Sequence, residues 1–256
     1  MARLPRRLGY AEEATLGEHL EELRGRLFVM LGAIALGTAV AFAFHGHVLD
    51  WLNRPLPPHH HRLLTTGVAE PFTVTLTVCV YAGFVLALPV VLWQLWLFFA
   101  PAFDPAAERK VLGLAAFAVA LAAGGVAFGY WVLLPRAVHF LVHYDHRHFL
   151  VLPRASSYYN FVVTVLVGIV IVFQTPLVVL GLVYLGVVSS RGLRRQRRMG
   201  YLVTAAVALA LPGPDPVTTF LELLPMWALF EGSIWLAALV ERRRAKVAPA
   251  SATLGG

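Results

Sequence analysis

Six long apolar runs, separated by short polar or charged segments, constrain the fold of this chain more than any other feature of its sequence. The runs cover residues 27–44, 71–103, 111–134, 158–189, 201–211 and 217–240. A helix of about 20 mainly apolar residues spans the hydrocarbon core of a bilayer, and most of the runs are near that length or longer. Hydrophobic residues make up 59% of the chain and charged residues only 14%. The sequence therefore predicts an all-α integral membrane protein with six transmembrane helices.

The remaining length leaves room for little besides these spans. We expect an N-terminal tail over residues 1–15, a single six-helix membrane domain over 16–241 and a C-terminal tail over 242–256. Sixteen of the 21 Lys and Arg residues lie in the two terminal segments and the second and fourth loops. Basic residues accumulate on the cytoplasmic side, so both termini are predicted to be cytoplasmic. This distribution accounts for the net charge of +7, and nucleic acid is not an expected partner.

Individual residues modify several of the runs. Pro89 lies inside the second run and predicts a kinked or tilted helix. Gly125 and Gly129 have the four-residue spacing that lets two membrane helices approach closely. Gln174 interrupts the fourth run near mid-membrane. The fifth run is too short for a full span, so it is predicted to cross a thinned bilayer or to stop short.

Two histidine-containing segments are predicted as polar loops: one from the end of the first run to Ala69, and one from Pro135 to about residue 157. No set of carboxylates accompanies their histidines, so solvated loops are favoured over a metal site. We expect neither a metal nor a cofactor. The histidines concerned are His59, His60, His61, His139, His143, His146 and His148.

The motifs of catalytic sites are missing from the sequence. It contains no nucleophile elbow, zinc-protease motif, phosphate-binding loop or dinucleotide fingerprint, so an enzyme is not expected. Gln174 and Glu231 are polar groups within apolar runs, where burial is costly and function is common. They could form the site of a small-solute secondary transporter, although no internal repeat relates the two halves. Alternatively, they hydrogen-bond neighbouring helices and fix their packing.

Residues 16–27, LGEHLEELRGRL, form a strongly charged helical segment before the first run. Its four leucines make an apolar stripe that is predicted to pack against the bundle. Glu22 and Arg26 are four apart, a spacing that favours a helical ion pair worth about 0.5 kcal/mol. Glu22 and Glu108 are acids near membrane level among basic residues. If they converge, they could clamp guanidinium groups through bidentate hydrogen bonds.

The segment His19-Leu20-x-Glu22-Leu23-Arg24-x-Arg26 resembles the signature of the TatC family, the polytopic subunit of the twin-arginine protein translocase. The resemblance covers nearly the whole chain, from about residue 16 to residue 242. Further matching positions are Pro55, Glu70-Pro71-Phe72, Trp96-x-Phe98-x-Ala100-Pro101, Glu108-Arg109, Pro214-Asp215 and Phe230-Glu231.

The resemblance implies a concave, glove-like bundle of six helices in the bacterial cytoplasmic membrane, with short fifth and sixth helices. It also implies transport of folded precursor proteins, driven by the proton-motive force. Glu22 and Glu108 would bind the paired arginines of the precursor's signal peptide, and Leu20 and Arg24, beside His19, would help shape that site.

Family resemblance further implies an oligomer with single-span TatA/TatB-type subunits. These partners would dock on the fifth helix and the start of the sixth, at Leu209, Pro212 and Thr219. Pro55, Phe98, Pro101 and Asp215 match the family at structural positions. The family commonly has a mid-membrane Glu where this chain has Gln174, which removes a titratable group, and Glu222 is an additional acid.

Overall fold

The computed structural model describes residues 16–57, 63–99, 108–144, 148, 152–184, 186–210 and 216–247. Ten α-helices lie in this part of the chain, and a π-helical turn, Gly129–Leu133, joins the fourth to the fifth. They are α1 (Leu16–Ala43), α2 (His45–Asn53), α3 (Glu70–Phe99), α4 (Glu108–Phe128), α5 (Leu134–His143), α6 (Ala155–Phe173), α7 (Thr175–Tyr184), α8 (Ser190–Arg195), α9 (Arg197–Ala210) and α10 (Pro216–Val247). The prediction of an all-α fold is confirmed.

The helices group into six passes. α1 continues into α2, the π turn joins α4 to α5, and α6 and α7 are separated at Gln174, while α3, α9 and α10 stand alone. Five passes are long and apolar enough to cross a membrane. α9 has 14 residues and is about 21 Å long, well short of the roughly 30 Å hydrocarbon core. The prediction of a short fifth helix is confirmed.

The sixth pass corrects the sequence-based prediction. α10 has 32 residues and its apolar part, Pro216–Arg242, is long enough to span a bilayer, so the expectation of a short sixth helix is wrong. Pro225 lies within α10 without ending it. The helix also continues to Val247, because the basic residues after the apolar run are good helix formers. Residues 1–15 and 248–256 of the expected tails lie outside the described residues.

Two segments predicted as loops are partly helical. Residues 45–53 form α2, and the helix after Pro135 continues to His143, so His139 and His143 lie on α5 with their rings stacked at 4.2 Å. A proline normally breaks a helix because it lacks an N–H and its ring clashes with the preceding turn. Here the wider π turn precedes Pro135, and the proline lies in the first turn of α5, where no intrahelical donor is needed. The histidines at 59–61 and 146 lie outside the described part of the chain.

Contacts between α1 and α3 show that the two helices are antiparallel. Arg26 reaches Gln94 at one end of the pair, and Gly37 meets Gly83 farther along. We call the end that carries Arg26 and Gln94 the N-terminal face, and the other end, which carries the loop residues 63–69 and 152–154, the opposite face. Alternation of the six passes places the starts of α4 and α9 at the N-terminal face.

Glycines allow close approach at helix crossings that include α1 with α3 and α4 with α6. A Cβ on Gly37 would lie 2.6 Å from the carbonyl oxygen of Gly83. A Cβ on Gly125 would lie 3.0 Å from Val170 Cα. One on Gly129 would lie 2.8 Å from Ile169 Cγ2. The predicted packing role of Gly125 and Gly129 is therefore confirmed, and α6 is the helix against which they pack.

Most of the buried hydrophobic side chains in the described part of the chain belong to three clusters. The largest lies toward the opposite face, where α2, α3, the π turn and α6 meet, and includes Leu52, Val78, Leu133, Tyr158 and Val162. A second cluster joins α3, α4, α6 and α7 through Leu88, Leu92, Ala118, Ala122, Val170 and Leu177. A small third cluster, Val172, Ala208 and Met226, attaches α9 to α6 and α10. Leu36, Leu86, Leu202 and Leu239 are exposed, as expected for side chains that face lipid.

Candidate functional site

Glu22 and Arg26 form an ion pair on α1 at the N-terminal face. Arg26 donates to Glu22 Oε1 through Nε at 3.1 Å and through a second nitrogen of its guanidinium. Its third nitrogen donates to Gln94 Oε1 on α3 at 3.5 Å. The predicted helical ion pair is confirmed. It is also buried, since only 6% of Glu22 is exposed.

The orientation of α1 corrects the interpretation of its leucine stripe. Leu20 is 64% exposed, and Leu23 and Leu27 are exposed too, so the described helices do not bury these leucines. The face of α1 that meets α3 instead carries Glu22, Arg26 and, farther along, Gly37. Small and ion-paired residues allow α1 to approach α3, and the leucines are left to contact lipid or another subunit.

The predicted peptide site also includes His19, Arg24 and Glu108. His19 and Arg24 are close to Glu22 in the sequence, and Glu108 lies at the same face. Arg24 is exposed, and its guanidinium carbon lies 5.7 Å from the centre of the Phe28 ring. Glu108 is the first residue of α4, at the N-terminal face. The side chains of His19 and Glu108 lie outside the described part of the structure, so their approach to Glu22 stays a prediction.

Gln174 is buried at the break between α6 and α7. Its Nε2 donates to the carbonyl oxygen of Ala118 on α4 at 3.3 Å. Beside it, Thr175 Oγ1 donates to Val172 O at 2.6 Å and satisfies a carbonyl at the end of α6. The polar side chain therefore ties the broken pass to α4, as expected for a residue that fixes helix packing.

Glu231 makes its contacts with α9. Its carboxylate accepts a hydrogen bond from Tyr201 OH and pairs with Arg197 at 3.2 Å. Arg197 is the first residue of α9, so this contact lies toward the N-terminal face. Gln174 and Glu231 thus hydrogen-bond to different helices, and these contacts do not bring them together as one solute site.

The residues predicted to dock partner subunits lie at the junction of α9 and α10. Leu209 is 74% exposed near the end of α9, and Thr219 is half-buried in the first turn of α10. Pro212 and Asp215 lie in 211–215, outside the described residues. Glu222, one turn after the fully buried Thr218, is itself only 1% exposed.

Tyrosines attach α2 to the bundle at the opposite face. The Tyr130 ring stacks on Trp51 at 3.8 Å, and its hydroxyl donates to Trp51 O at 2.8 Å. Tyr158 OH donates to Leu52 O at 2.7 Å, and Tyr159 OH donates to Asn53 Oδ1 at 2.9 Å. Pro55 follows, half-buried, directly after this anchored helix.

Several of these residues were missed by sequence reasoning. The sequence patterns do not single out Gln94 or the tyrosines of α6, although a lone amide in an apolar run is a usable signal for Gln94. They also do not point to Arg154, which donates to Glu70 Oε1 at 2.8 Å. That hydrogen bond raises the pKa of the Arg154 guanidinium. Phe98 is half-buried near the end of α3, and Pro101 lies outside the described residues.

The helical architecture alone identifies the general class of this protein. Long apolar helices, a broken pass and a short fifth pass make this a polytopic α-helical membrane protein. Polar groups at helix ends and crossings, such as Arg26 with Gln94 and Gln174 with Ala118, join its helices.

Comparison with known proteins specifies the family. The family model described as TatC, Sec-independent protein translocase protein, matches residues 18–225. TatCd of Bacillus subtilis strain 168 is 33% identical over 241 residues, which cover 94% of this chain and 98% of that protein. The chloroplastic TATC of Arabidopsis thaliana is 35% identical over 235 residues, covering 90% of this chain and 68% of that protein.

Solved structures agree with the sequence relatives. A crystal structure of the twin-arginine translocase receptor TatC matches with a TM-score of 0.75 and 30% identity, covering 86% of this chain and 98% of that one. A structure of that receptor in DDM gives a TM-score of 0.76 at 29% identity. The chain belongs to the TatC family of Sec-independent protein translocase proteins. The fold class and family inferred from the sequence are confirmed.

Proposed function

We propose that this protein binds the twin-arginine signal peptides of folded precursor proteins at its N-terminal face. With single-span TatA/TatB-type subunits, it nucleates an oligomeric translocation complex driven by the proton-motive force. The bacterial cytoplasmic membrane is the proposed location, with both termini on the cytoplasmic side. Family membership and the match to a twin-arginine translocase receptor support this proposal.

One observation carries the argument for the binding site: the Glu22 carboxylate already holds a guanidinium group. The two nitrogens of Arg26 that contact Glu22 Oε1 show that an arginine side chain fits this carboxylate. A peptide arginine can make the same charge-assisted hydrogen bonds, whereas lysine lacks the planar fork. Arginine recognition at Glu22 is thus an exchange, in which the peptide's guanidinium replaces that of Arg26.

Glu108 supplies the second carboxylate in this proposal. Its backbone opens α4 at the N-terminal face, the face that also carries Glu22. Two carboxylates on one face match two consecutive arginines in charge. His19, Leu20 and Arg24 are the other residues of α1 assigned to the peptide site, and the 64% exposure of Leu20 leaves it accessible to an apolar residue of the peptide.

The partner surface is the end of α9 with the start of α10. Leu209 is exposed near the end of α9, and Phe220 and Leu224 are exposed on α10. Because α9 is shorter than the bilayer core, polar groups near its end would meet hydrocarbon unless the bilayer thins or another helix covers them. A single-span subunit packed beside Leu209, Pro212 and Thr219 provides that cover.

A binding measurement with the protein in nanodiscs tests the peptide site. A fluorescent peptide with two consecutive arginines should bind the wild type, and its two-lysine counterpart should bind about tenfold or more weakly. Glu22→Gln and Glu108→Gln should each weaken binding of the arginine peptide. Glu21→Gln is the matched control, because Glu21 is the exposed neighbour of Glu22 on the same helix. Equal binding of both peptides would refute recognition by a carboxylate clamp.

A further inference from the structure

A row of exposed arginines lies on α8 and the first turn of α9. Arg191, Arg195 and Arg198 are exposed. Arg191 and Arg195 are four residues apart and lie on one side of α8, and Arg198 follows in the first turn of α9. Within the described residues, none of the three makes an ion pair with an acidic side chain. The patch therefore presents concentrated positive charge to its surroundings.

Nearby acids are engaged elsewhere. Glu241 accepts from the backbone N–H of Ser190 at 2.8 Å and from the Ser190 hydroxyl. Glu231 binds Arg197 and Tyr201. These contacts hold α8 and the start of α9 against α10 instead of neutralising the arginine row. The Ser189 hydroxyl, which accepts from Gly192 N at 3.1 Å, caps α8 and fixes its start.

Trp235 locates this patch at membrane level. It is 64% exposed on α10, and the Arg194 guanidinium carbon lies 5.8 Å from the centre of its ring. Exposed tryptophans concentrate at the boundary between lipid headgroups and hydrocarbon. An arginine above an exposed indole therefore lies at the depth of lipid phosphates.

Apolar surface continues directly below the charges. Met199, Leu202 and Val203 are exposed on the next turns of α9. A phospholipid has the same arrangement, with a phosphate above acyl chains. An acidic protein segment would use the arginines but not the apolar surface beneath them, so lipid fits the patch better.

We propose that the arginine row, with Arg194 and Trp235, is a binding site for the phosphodiester headgroup of an anionic phospholipid. The guanidinium groups hydrogen-bond the phosphate oxygens, and the lipid's acyl chains lie along the exposed residues of α9. The site holds a lipid beside the short fifth helix, where the bilayer must deform. General retention of positive charge on one side of the membrane requires only charge, whereas this site also uses arginine's planar fork to bind phosphate more tightly than lysine would.

Native mass spectrometry of the full-length protein in detergent tests the site, with phosphatidylglycerol and cardiolipin as anionic probes and phosphatidylcholine as the zwitterionic one. The wild type should retain the anionic lipids preferentially. Arg191→Gln/Arg195→Gln should lose about tenfold or more of that affinity. The matched control is Arg54→Gln/Arg136→Gln, two exposed arginines of the opposite face, and it should keep wild-type retention.

Arg191→Lys/Arg195→Lys separates loss of the site from loss of the fold. It keeps both charges and should bind the anionic lipids at an affinity between those of the wild type and the glutamine variant. Three results would overturn the proposal: unchanged retention in the glutamine variant, equal retention of phosphatidylcholine, or displacement of the lipid by soluble glycerol phosphate at comparable concentration. Binding of a glutamate-rich peptide to the patch in place of lipid would also overturn it.

Discussion

Glu70 and Arg154 are 84 positions apart, yet Arg154 Nε donates a hydrogen bond of 2.8 Å to Glu70 Oε1. Glu70 Oε2 accepts from Thr66, at 2.7 Å from the backbone N–H and 3.1 Å from the hydroxyl. The backbone N–H groups of Gly67 and Ser156 also donate to this carboxylate, at 3.3 and 3.4 Å. A single carboxylate therefore joins two loop segments at the opposite face and orients the starts of α3 and α6.

Glu70→Gln should lower the melting temperature of the purified protein by a few degrees. The amide keeps one acceptor oxygen but turns an NH₂ group toward donors, so several of the hydrogen bonds cannot form. Arg154→Gln should have a smaller effect, because Arg154 is half exposed and supplies one of the five donors. In a double-mutant cycle, additive effects of the two changes would show that the residues are not coupled.

The crossing of α1 and α3 gives a second prediction. A Cβ on Gly83 would lie 2.6 Å from Thr38 Cα, so Gly83→Ala forces the helices apart and should cost about 1–3 kcal/mol or more. Gly32→Ala is the control, since a Cβ on that α1 glycine has no neighbour within 4 Å. Yield of monodisperse protein and its melting temperature are the measurements. A Gly83→Ala protein as stable as Gly32→Ala would contradict the close crossing.

Local spacing within one helix predicted much of what the structure shows. Glu22 and Arg26 are four apart, so their ion pair follows from helix geometry. Gly125 and Gly129, also four apart, share a side of their pass for the same reason. The break at Gln174 and the short α9 followed from residues that interrupt an apolar run. These features need no knowledge of which helices are neighbours, and for that reason the sequence alone was sufficient.

Contacts between helices were beyond the same reasoning. Gln94 and Gly83 acquire their roles only because α3 lies antiparallel to α1, and no local rule states which face of α1 meets it. The helical spacing of Leu20, Leu23 and Leu27 predicts an apolar stripe packed against the bundle, as it would in a soluble protein. In a membrane these leucines can face lipid without a free-energy cost, so the residues buried between helices are those that allow close packing.

The position of Arg26 between Glu22 and Gln94 gives the last prediction. If the peptide's arginine must displace Arg26, the ion pair within α1 competes with the ligand. An exposed ion pair of this spacing contributes only about 0.5 kcal/mol to stability. Burial against α3 strengthens the electrostatic attraction between Glu22 and Arg26. Removing the guanidinium leaves a buried carboxylate without that partner, which a ligand's arginine can supply.

Arg26→Gln should therefore lower the stability of the empty protein and raise its affinity for a twin-arginine peptide several-fold. Glutamine can still donate to Glu22 or Gln94, but it carries no charge and gives way to a guanidinium. The measurements are the melting temperature without and with peptide, together with peptide binding in nanodiscs. Arg136→Gln is the control, because Arg136 is an exposed arginine of the opposite face, so its loss removes the same charge without releasing Glu22. If Arg26→Gln binds the peptide more weakly than Arg136→Gln does, Arg26 positions Glu22 for the ligand and does not compete with it.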